Sequence, residues 1–440
     1  MKEQKDISIW KLTLTDKFRY GQLKISIEGG KKVLEVGKGQ NKLSFQRLRK
    51  LLNKVFIFLK DQAPLKLEHD LESETGYDRD SIAIALDISS YRFEECKSES
   101  SAPITLPQLS KKAGIITQAV RNARLLIDRP ADIVTPAYLA NYALQLAKNN
   151  PKLKVKIHDL QACRKIGLEA FLAVAQASSS LPYMIELEYT HPNAQKKEKL
   201  GLLGKGLTYD TGGLSLKPNN YMYGMKSDMS GAAIVLGVME GVAYLDLPLN
   251  LQSLILACEN SFSDNSYRPG DILKSLSGKT IEVVDTDAEG RLTLADGLTY
   301  LSRHVEIKGI IDYATLTGSV AYALGGTAAG GFSNDRALIE TFQRSSEEIG
   351  ELVWEFPLLD DYKEDLESSV ADLLQCDGRP DGIIAALFLK EFLMRDLPWL
   401  HLDIAGTAYL DEPTDYALSG ATGWGVWSTL NYLMKNSTRN

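Results

Sequence analysis

Cysteine is scarce in this chain and scattered where it occurs. Cys96, Cys163, Cys258 and Cys376 are the four in 440 residues, and none forms a C-x-x-C pair. That spacing argues against a disulfide frame or a thiolate zinc site and suits free thiols in a reducing compartment. Histidine is nearly as sparse: His69, His158, His191, His304 and His401 form no H-E-x-x-H or similar motif. His401, alternating with Leu400 and Leu402, reads as a hydrogen-bonded strand residue. There is no Gly-x-Ser-x-Gly, so a serine-hydrolase elbow has no support. Gly201-Leu-Leu-Gly204-Lys205-Gly206 is too short for a phosphate loop, and no Ser or Thr follows its lysine. No apolar run reaches the roughly 18 residues of a membrane span. The charged start Met1-Lys-Glu-Gln-Lys-Asp-Ile-Ser lacks the apolar stretch of a secretory signal. The expectation is a cytoplasmic protein with no membrane partner.

What is present is ordinary for a globular protein: 44% apolar and 24% charged residues. The length exceeds one ordinary domain, so two are expected. A net charge of −7 disfavours a general nucleic-acid binder. The polar, proline-punctuated segment Lys97 to Pro107 is the linker candidate. It divides a smaller N-terminal α/β domain, residues 1–108, from a larger domain, residues 109–440. In the larger part, Ala113 to Ile127 reads as an amphipathic helix ending near Pro130. Strands are predicted at 184–189, 200–207, 254–257, 280–284, 310–314 and 400–404. They alternate with helices at 231–242, 292–302 and 383–394. That alternation predicts an α/β fold with a mostly parallel central sheet flanked by helices.

Two acidic stretches carry the chemistry. Lys205-Gly-Leu-Thr-Tyr-Asp210-Thr-Gly-Gly-Leu-Ser-Leu-Lys217 continues to Asp228, and Asp285-Thr-Asp287-Ala-Glu289-Gly-Arg291 follows about sixty residues later. Both follow predicted strands, where ligand crevices form in α/β sheets. If the second stretch runs nearly extended, Asp287, Glu289 and Arg291 face one side. Asp210, Asp228, Asp287 and Glu289 bring four negative charges, matching two divalent cations. Such an oxygen-rich shell suits manganese or magnesium, and zinc also accepts it. Lys205 could ligate only as a neutral amine. Lys217 is then available to stabilise an oxyanion, and Arg291 to hold a small anion.

These motifs, with Met225-x-x-Asp228-Met, Tyr267-Arg-Pro-Gly-Asp271, Ala314-Thr-Leu-Thr-Gly318 and His401-Leu-Asp-Ile-Ala-Gly406, resemble the leucyl (cytosol) aminopeptidases over roughly residues 110–435. The resemblance implies that Asp210, Asp287 and Glu289 hold one metal, and that Lys205, Asp210, Asp228 and Glu289 hold the second. Manganese or zinc is expected, with magnesium or cobalt as alternatives. It further implies that Lys217 stabilises the tetrahedral intermediate and that Arg291 holds a bicarbonate acting as general base. Met225, Thr315, Gly318, Ala405 and Ala408 would line an apolar pocket for the first side chain of a peptide with a free amino terminus. Family members are hexamers, and some also bind DNA, which is the alternative function.

Three positions depart from the family. Asp285 stands where Asn is usual, and a fifth carboxylate facing the metals would tighten their binding. Cys376-Asp377-Gly378-Arg379-Pro380-Asp381-Gly382 has less glycine than the family, which bears on loop shape. Val174-Ala-Gln-Ala-Ser178 lacks the usual Lys-Gly.

Overall fold

Leu202 and Leu203, Leu254 and Ile255, and Ile310 and Ile311 are neighbours in sequence, yet each pair divides between two separate apolar cores. Successive strand side chains point to opposite faces, so this division marks a sheet buried on both sides. The computed structural model describes residues 8–437 apart from positions 30, 41, 63, 196, 377–378 and 414–418.

A first, five-stranded sheet uses Ser8–Thr15 (β1), Leu23–Glu28 (β2), Lys31–Gly37 (β3), Leu65–His69 (β4) and Ile104–Thr105 (β5), in the order β2-β3-β1-β4-β5. The predicted linker thus contributes a short strand before the chain moves on. The next strands are Leu153–His158 (β6), Tyr183–Tyr189 (β7), Lys199–Asp210 (β8), Leu251–Asn260 (β9), Ile272–Lys274 (β10) and Thr280–Glu282 (β11). They are followed by Ile307–Ala314 (β12), Ala328–Ser333 (β13), Leu352–Glu355 (β14), Leu373–Leu374 (β15) and Trp399–Asp403 (β16). Among the described residues, eight of these form the large sheet β14-β13-β16-β12-β8-β9-β7-β6. Its centre, β16-β12-β8-β9, is parallel, and antiparallel pairs flank it. The expected mostly parallel α/β sheet is therefore present.

Helices Lys111–Asp128, Ser230–Leu245 and Val426–Ser437 pack on one face, while Glu289–Arg303 and Asp381–Lys390 cover the other. The first of these starts at Ser110, whose side chain accepts the Ala113 N–H, and it stops before Pro130. The stretch Asn219–Leu245 is long and apolar enough to cross a membrane by composition, contrary to the expectation from the sequence. However, 89% of its most apolar window is buried inside the protein. A helix apolar all round is what a two-sided core demands. No two of the four cysteines form a disulfide among the described residues.

One expectation needs correcting. The second acidic stretch does not leave a strand of the large sheet. It follows β11, which belongs to a separate three-stranded sheet, β10-β11-β15.

Candidate metal centre and active site

β8 carries Lys205 and ends at Asp210, directly across from Asn260 on β9. Two glycines let the helix Ser230–Leu245 close on this strand. A Cβ on Gly204 would lie 2.6 Å from the Gly231 carbonyl oxygen, and one on Gly231 would lie 2.0 Å from that of Tyr313. Their closeness brings Asp228, just ahead of the helix, against the strand ends. Beyond Asp210 the chain turns back through Gly212 and Gly213, both left-handed at φ 84° and 65°. That turn delivers Lys217.

The second stretch is not extended. Asp285–Ala288 is a turn, closed by the Ala288 N–H donating to the Asp285 carbonyl, and Glu289 opens a helix. Residues two apart in a helix point roughly 200° apart. Glu289 accordingly turns to Lys205, while Arg291 turns to Gln375 and Asp381. Asp285 accepts the Asp287 N–H at 2.9 Å, so one of its carboxylate oxygens serves the turn itself. Gln375 holds the turn from outside: it accepts the N–H groups of Val284 and Asp285 and donates to the Ala288 carbonyl.

Thr286 fastens the two stretches together. Its hydroxyl donates to the Gly212 carbonyl and accepts the Ser215 N–H. Its carbonyl accepts from Asn260 and from the Tyr267 hydroxyl, and the same Asn260 amide donates to Asp210 at 2.8 Å.

Four carboxylates and two ammonium groups converge. Lys205 Nζ lies 2.8 Å from Asp228, 2.8 Å from Glu289 and 2.9 Å from the Thr315 carbonyl. Lys217 Nζ lies 2.8 Å from Asp210 and also pairs with Asp287. Each lysine therefore bridges two different segments. Asp210, Asp287 and Glu289 each offer an oxygen within 4.8 Å of the others. Burial, followed by repulsion from Asp210 and Glu289, pushes Asp287 up to about 7. Burial also raises Asp228 and Glu289, each with the charge of neighbouring carboxylates adding to it. Burial opposes the charge of Lys205, but Asp228, Glu289 and Asp210 outweigh it and raise its pKa. Lys217 behaves alike, held up chiefly by Asp210.

This is a site short of positive charge. With both lysines charged, four ionised carboxylates leave an excess of two negative charges, matching one divalent cation; a neutral Lys205 raises the excess to three and releases Asp228 and Glu289 as ligands. Asp228 Oδ2 and Glu289 Oε2 are buried without a hydrogen-bond partner, which is costly unless something cationic meets them. The donor set fits divalent metal.

The remaining predicted residues fall around this cluster. Thr315 donates its hydroxyl to Asp228 at 2.6 Å. Met225 sits in the short helical turn leading to Asp228, and Gly318 begins a helix whose cap is Thr317. Ala405 is half-buried, whereas Ala408, 2% exposed, packs in the core behind that wall. Asp403 arranges this side of the site: it accepts from the N–H groups of Leu316, Thr317 and Ala405 and from the Thr317 hydroxyl. His401 is a strand residue as expected, its Nδ1 2.5 Å from Asp312.

Asn260, Thr286, Gln375 and Asp403 were not singled out in the sequence. Asp403 lay within a quoted motif, and Asn260 lies just beyond the strand predicted at 254–257, at the end of β9. The glycine-poor loop also reaches further than loop shape, because Asp381 binds Arg291 at 2.9 Å. Asp377 and Gly378 lie outside the described residues.

Residues 121–430 match the model of the cytosol aminopeptidase family, catalytic domain. A probable cytosol aminopeptidase of Clostridium tetani is 46% identical over 314 residues, 71% of this chain and 64% of that one. The chain thus spans a little under two thirds of that relative. A second, from Geobacter sp. (strain M21), is 36% identical over 92% of this chain and 86% of its own. Among solved structures, the bottromycin maturation enzyme BotP in complex with Mn superposes with a TM-score of 0.88 at 31% identity, covering 98% of this chain and 99% of that one. Sequence, fold and the converging acidic stretches agree: the chain belongs to the cytosol aminopeptidase family.

Proposed function

We propose that this protein is a metal-dependent aminopeptidase that releases leucine and other apolar residues from the free amino terminus of peptides. The observation that carries this reading is the buried cluster of four carboxylates from three chain segments, two of whose oxygens have no partner. Asp210, Asp287 and Glu289 would hold one cation, and Lys205, Asp210, Asp228 and Glu289 the other. Manganese or zinc suits this set, and magnesium or cobalt could replace them; the similarity to BotP, solved with Mn, favours manganese. Bound there, the metals would supply an activated water and polarise the scissile carbonyl.

The chain's own residues do the rest. Lys217, kept charged by Asp210 and its acidic neighbours, donates to the oxyanion that develops at the scissile carbonyl. Thr315 orients Asp228 through its hydroxyl and Lys205 through its carbonyl. Met225, Thr315, Gly318 and Ala405 form the wall for the first side chain, with Ala408 behind. Arg291 would hold the bicarbonate that the resemblance implies. Its terminal nitrogens donate to Asp381 and to the Gln375 carbonyl, while its Nε is buried without a partner and is the donor left for that anion.

The division into a domain of residues 1–108 and a catalytic domain of residues 109–440 belongs to the same proposal. So do a cytoplasmic location and a homohexamer, both carried over from the resemblance. The test is hydrolysis of leucine p-nitroanilide by metal-stripped protein with each metal added back, and with acetyl-leucine anilide as the blocked control. Metal-restored cleavage of the free-amine substrate alone is expected. No cleavage with any metal would overturn the reading and direct attention to DNA binding.

A further inference from the structure

A second site lies where the first sheet's helices meet the large domain. Arg49 from the helix Phe45–Leu59, Ser89 from Arg79–Ser90 and Arg124 from Lys111–Asp128 face Glu351, Thr407 and Trp424 across a cavity. Inside it the centre of a water-sized sphere has about 40 Å³ to move in, within a larger space open to solvent. Arg124 is the anomaly here. It is 2% exposed, its guanidinium stacks 3.9 Å from the centre of the Tyr91 ring, and among the described residues it makes a single hydrogen bond, to the Ile88 carbonyl. Its Nε is buried without a partner, and so is the indole N–H of Trp424.

Among the described residues no carboxylate comes within ion-pair distance of Arg124. Asp128, one turn away, is occupied by the Tyr91 hydroxyl and the Ala421 N–H. Glu351 is likewise engaged, by Arg49 at 3.4 Å and by the N–H groups of Gly425 and Ser428. Of the groups lining the cavity, Arg49 and Arg124 face one carboxylate, Glu351, while Asp128 acts on Arg124 from beyond hydrogen-bond reach and leaves its Nε without a partner. Burial, with the charges of Arg121 and Arg49 adding to it, brings the Arg124 pKa down to about 10 against the opposing pull of Tyr91 and Asp128.

Buried charges in proteins are paired or bound to something of opposite sign. A water molecule could accept from Nε but would bring no negative charge. We propose that this cavity binds a small oxyanion, of the carboxylate or phosphate class, through Arg124 Nε and the Trp424 indole N–H, with Arg49 adding charge. Guanidinium and indole donors suit such an anion. Thr407, on the cavity's far side, lies between Ala405 and Ala408, so a bound anion would tie two helices of the first region to the loop behind the candidate substrate wall. The site does not depend on the aminopeptidase reading.

Calorimetric titration of the full chain with inorganic phosphate and, separately, acetate tests it at matched ionic strength. One saturable site per chain is expected for at least one of the two. Trp424→Phe keeps the packing and removes only the donor, and it should weaken binding about tenfold. Arg124→Met should abolish binding; should that variant not fold, Trp424→Phe still decides. Crystals soaked in selenate should show anomalous scattering beside Arg124 and Trp424. No saturable binding, equal affinity in Trp424→Phe, selenate confined to Arg291 or the lysines of the acidic cluster, or ordered water alone in the cavity would each overturn the proposal.

Discussion

Metal capture should be coupled to proton release, and the slope of that coupling tells what Lys205 does. In the metal-free protein Asp287 titrates near pH 7, because burial and the carboxylates beside it disfavour its charge. A cation binds only the ionised form. With a pKa of about 7, roughly ten molecules in eleven are protonated at pH 6 and roughly one in eleven at pH 8. Apparent Mn²⁺ affinity should therefore fall about tenfold from pH 8 to pH 6 through Asp287 alone, and the raised Asp228 and Glu289 act in the same direction. The carboxylate contribution levels off on the alkaline side. Lys205 is different, since its acidic neighbours raise its pKa above the ordinary lysine value. If it ligates as a neutral amine it must release a proton at every pH in this range, adding about tenfold per pH unit that persists to pH 9. Calorimetry in buffers of different ionisation enthalpy counts these protons directly. The sign for the metal-free protein is opposite. A carboxyl whose folded pKa is raised holds a proton the unfolded chain has lost, so stability declines as pH rises from the ordinary carboxylate range to about 7. An affinity independent of pH between 6 and 8 would refute the reasoning, because it would mean the acidic cluster was already ionised.

Other perturbations have equally definite outcomes. Arg291→Met removes the guanidinium whose Nε is left without a partner; the unaltered protein's peptidase rate should fall about tenfold when dissolved carbonate is removed, while the variant's rate should not respond to carbonate. Asp285→Asn retains an oxygen for the Asp287 N–H, so metal affinity measured by calorimetry should change by less than about 0.5 kcal/mol. Gly231→Ala sets a methyl group 2.0 Å from a backbone oxygen of β12, and a loss of at least about 3 kcal/mol is expected, seen as a lowered thermal midpoint or insoluble product.

The residues legible in the sequence were those that share a short stretch. Lys205, Asp210 and Lys217 are close in sequence, as are Asp287 and Glu289, and their charge amid turn-forming glycines was sufficient signal. The strands were legible because two-sided burial produces compact apolar runs. The extended reading of Asp287 to Arg291 failed because period two assumes a strand, whereas Gln375, almost ninety positions on, holds that segment as a turn into a helix. Asn260, Asp403 and Asp381 share this origin: each acts through a partner chosen by sheet register or loop packing. An isolated Asn at a strand end, or an Asp in a loop, carries no local mark of its partner. The charge of Asp285 was plain in the sequence, whereas the hydrogen bond it accepts from Asp287 was not.

The acidic cluster draws on β8, the approach to the helix after it, and the helix that opens at Glu289. Its far wall is set by Asp403 at the end of β16. Translation delivers these parts one after another, and β16, which pairs with the central strand β12, is nearly last. A nascent chain emerging from the ribosome presents only isolated carboxylates, which are weak chelators, until the late strands have docked. In the proposed reading, the far wall of the site is therefore finished only after β16 has docked on β12. Products cut short before β16 lack that wall, and the metal content of a preparation would report how many of its molecules have built it.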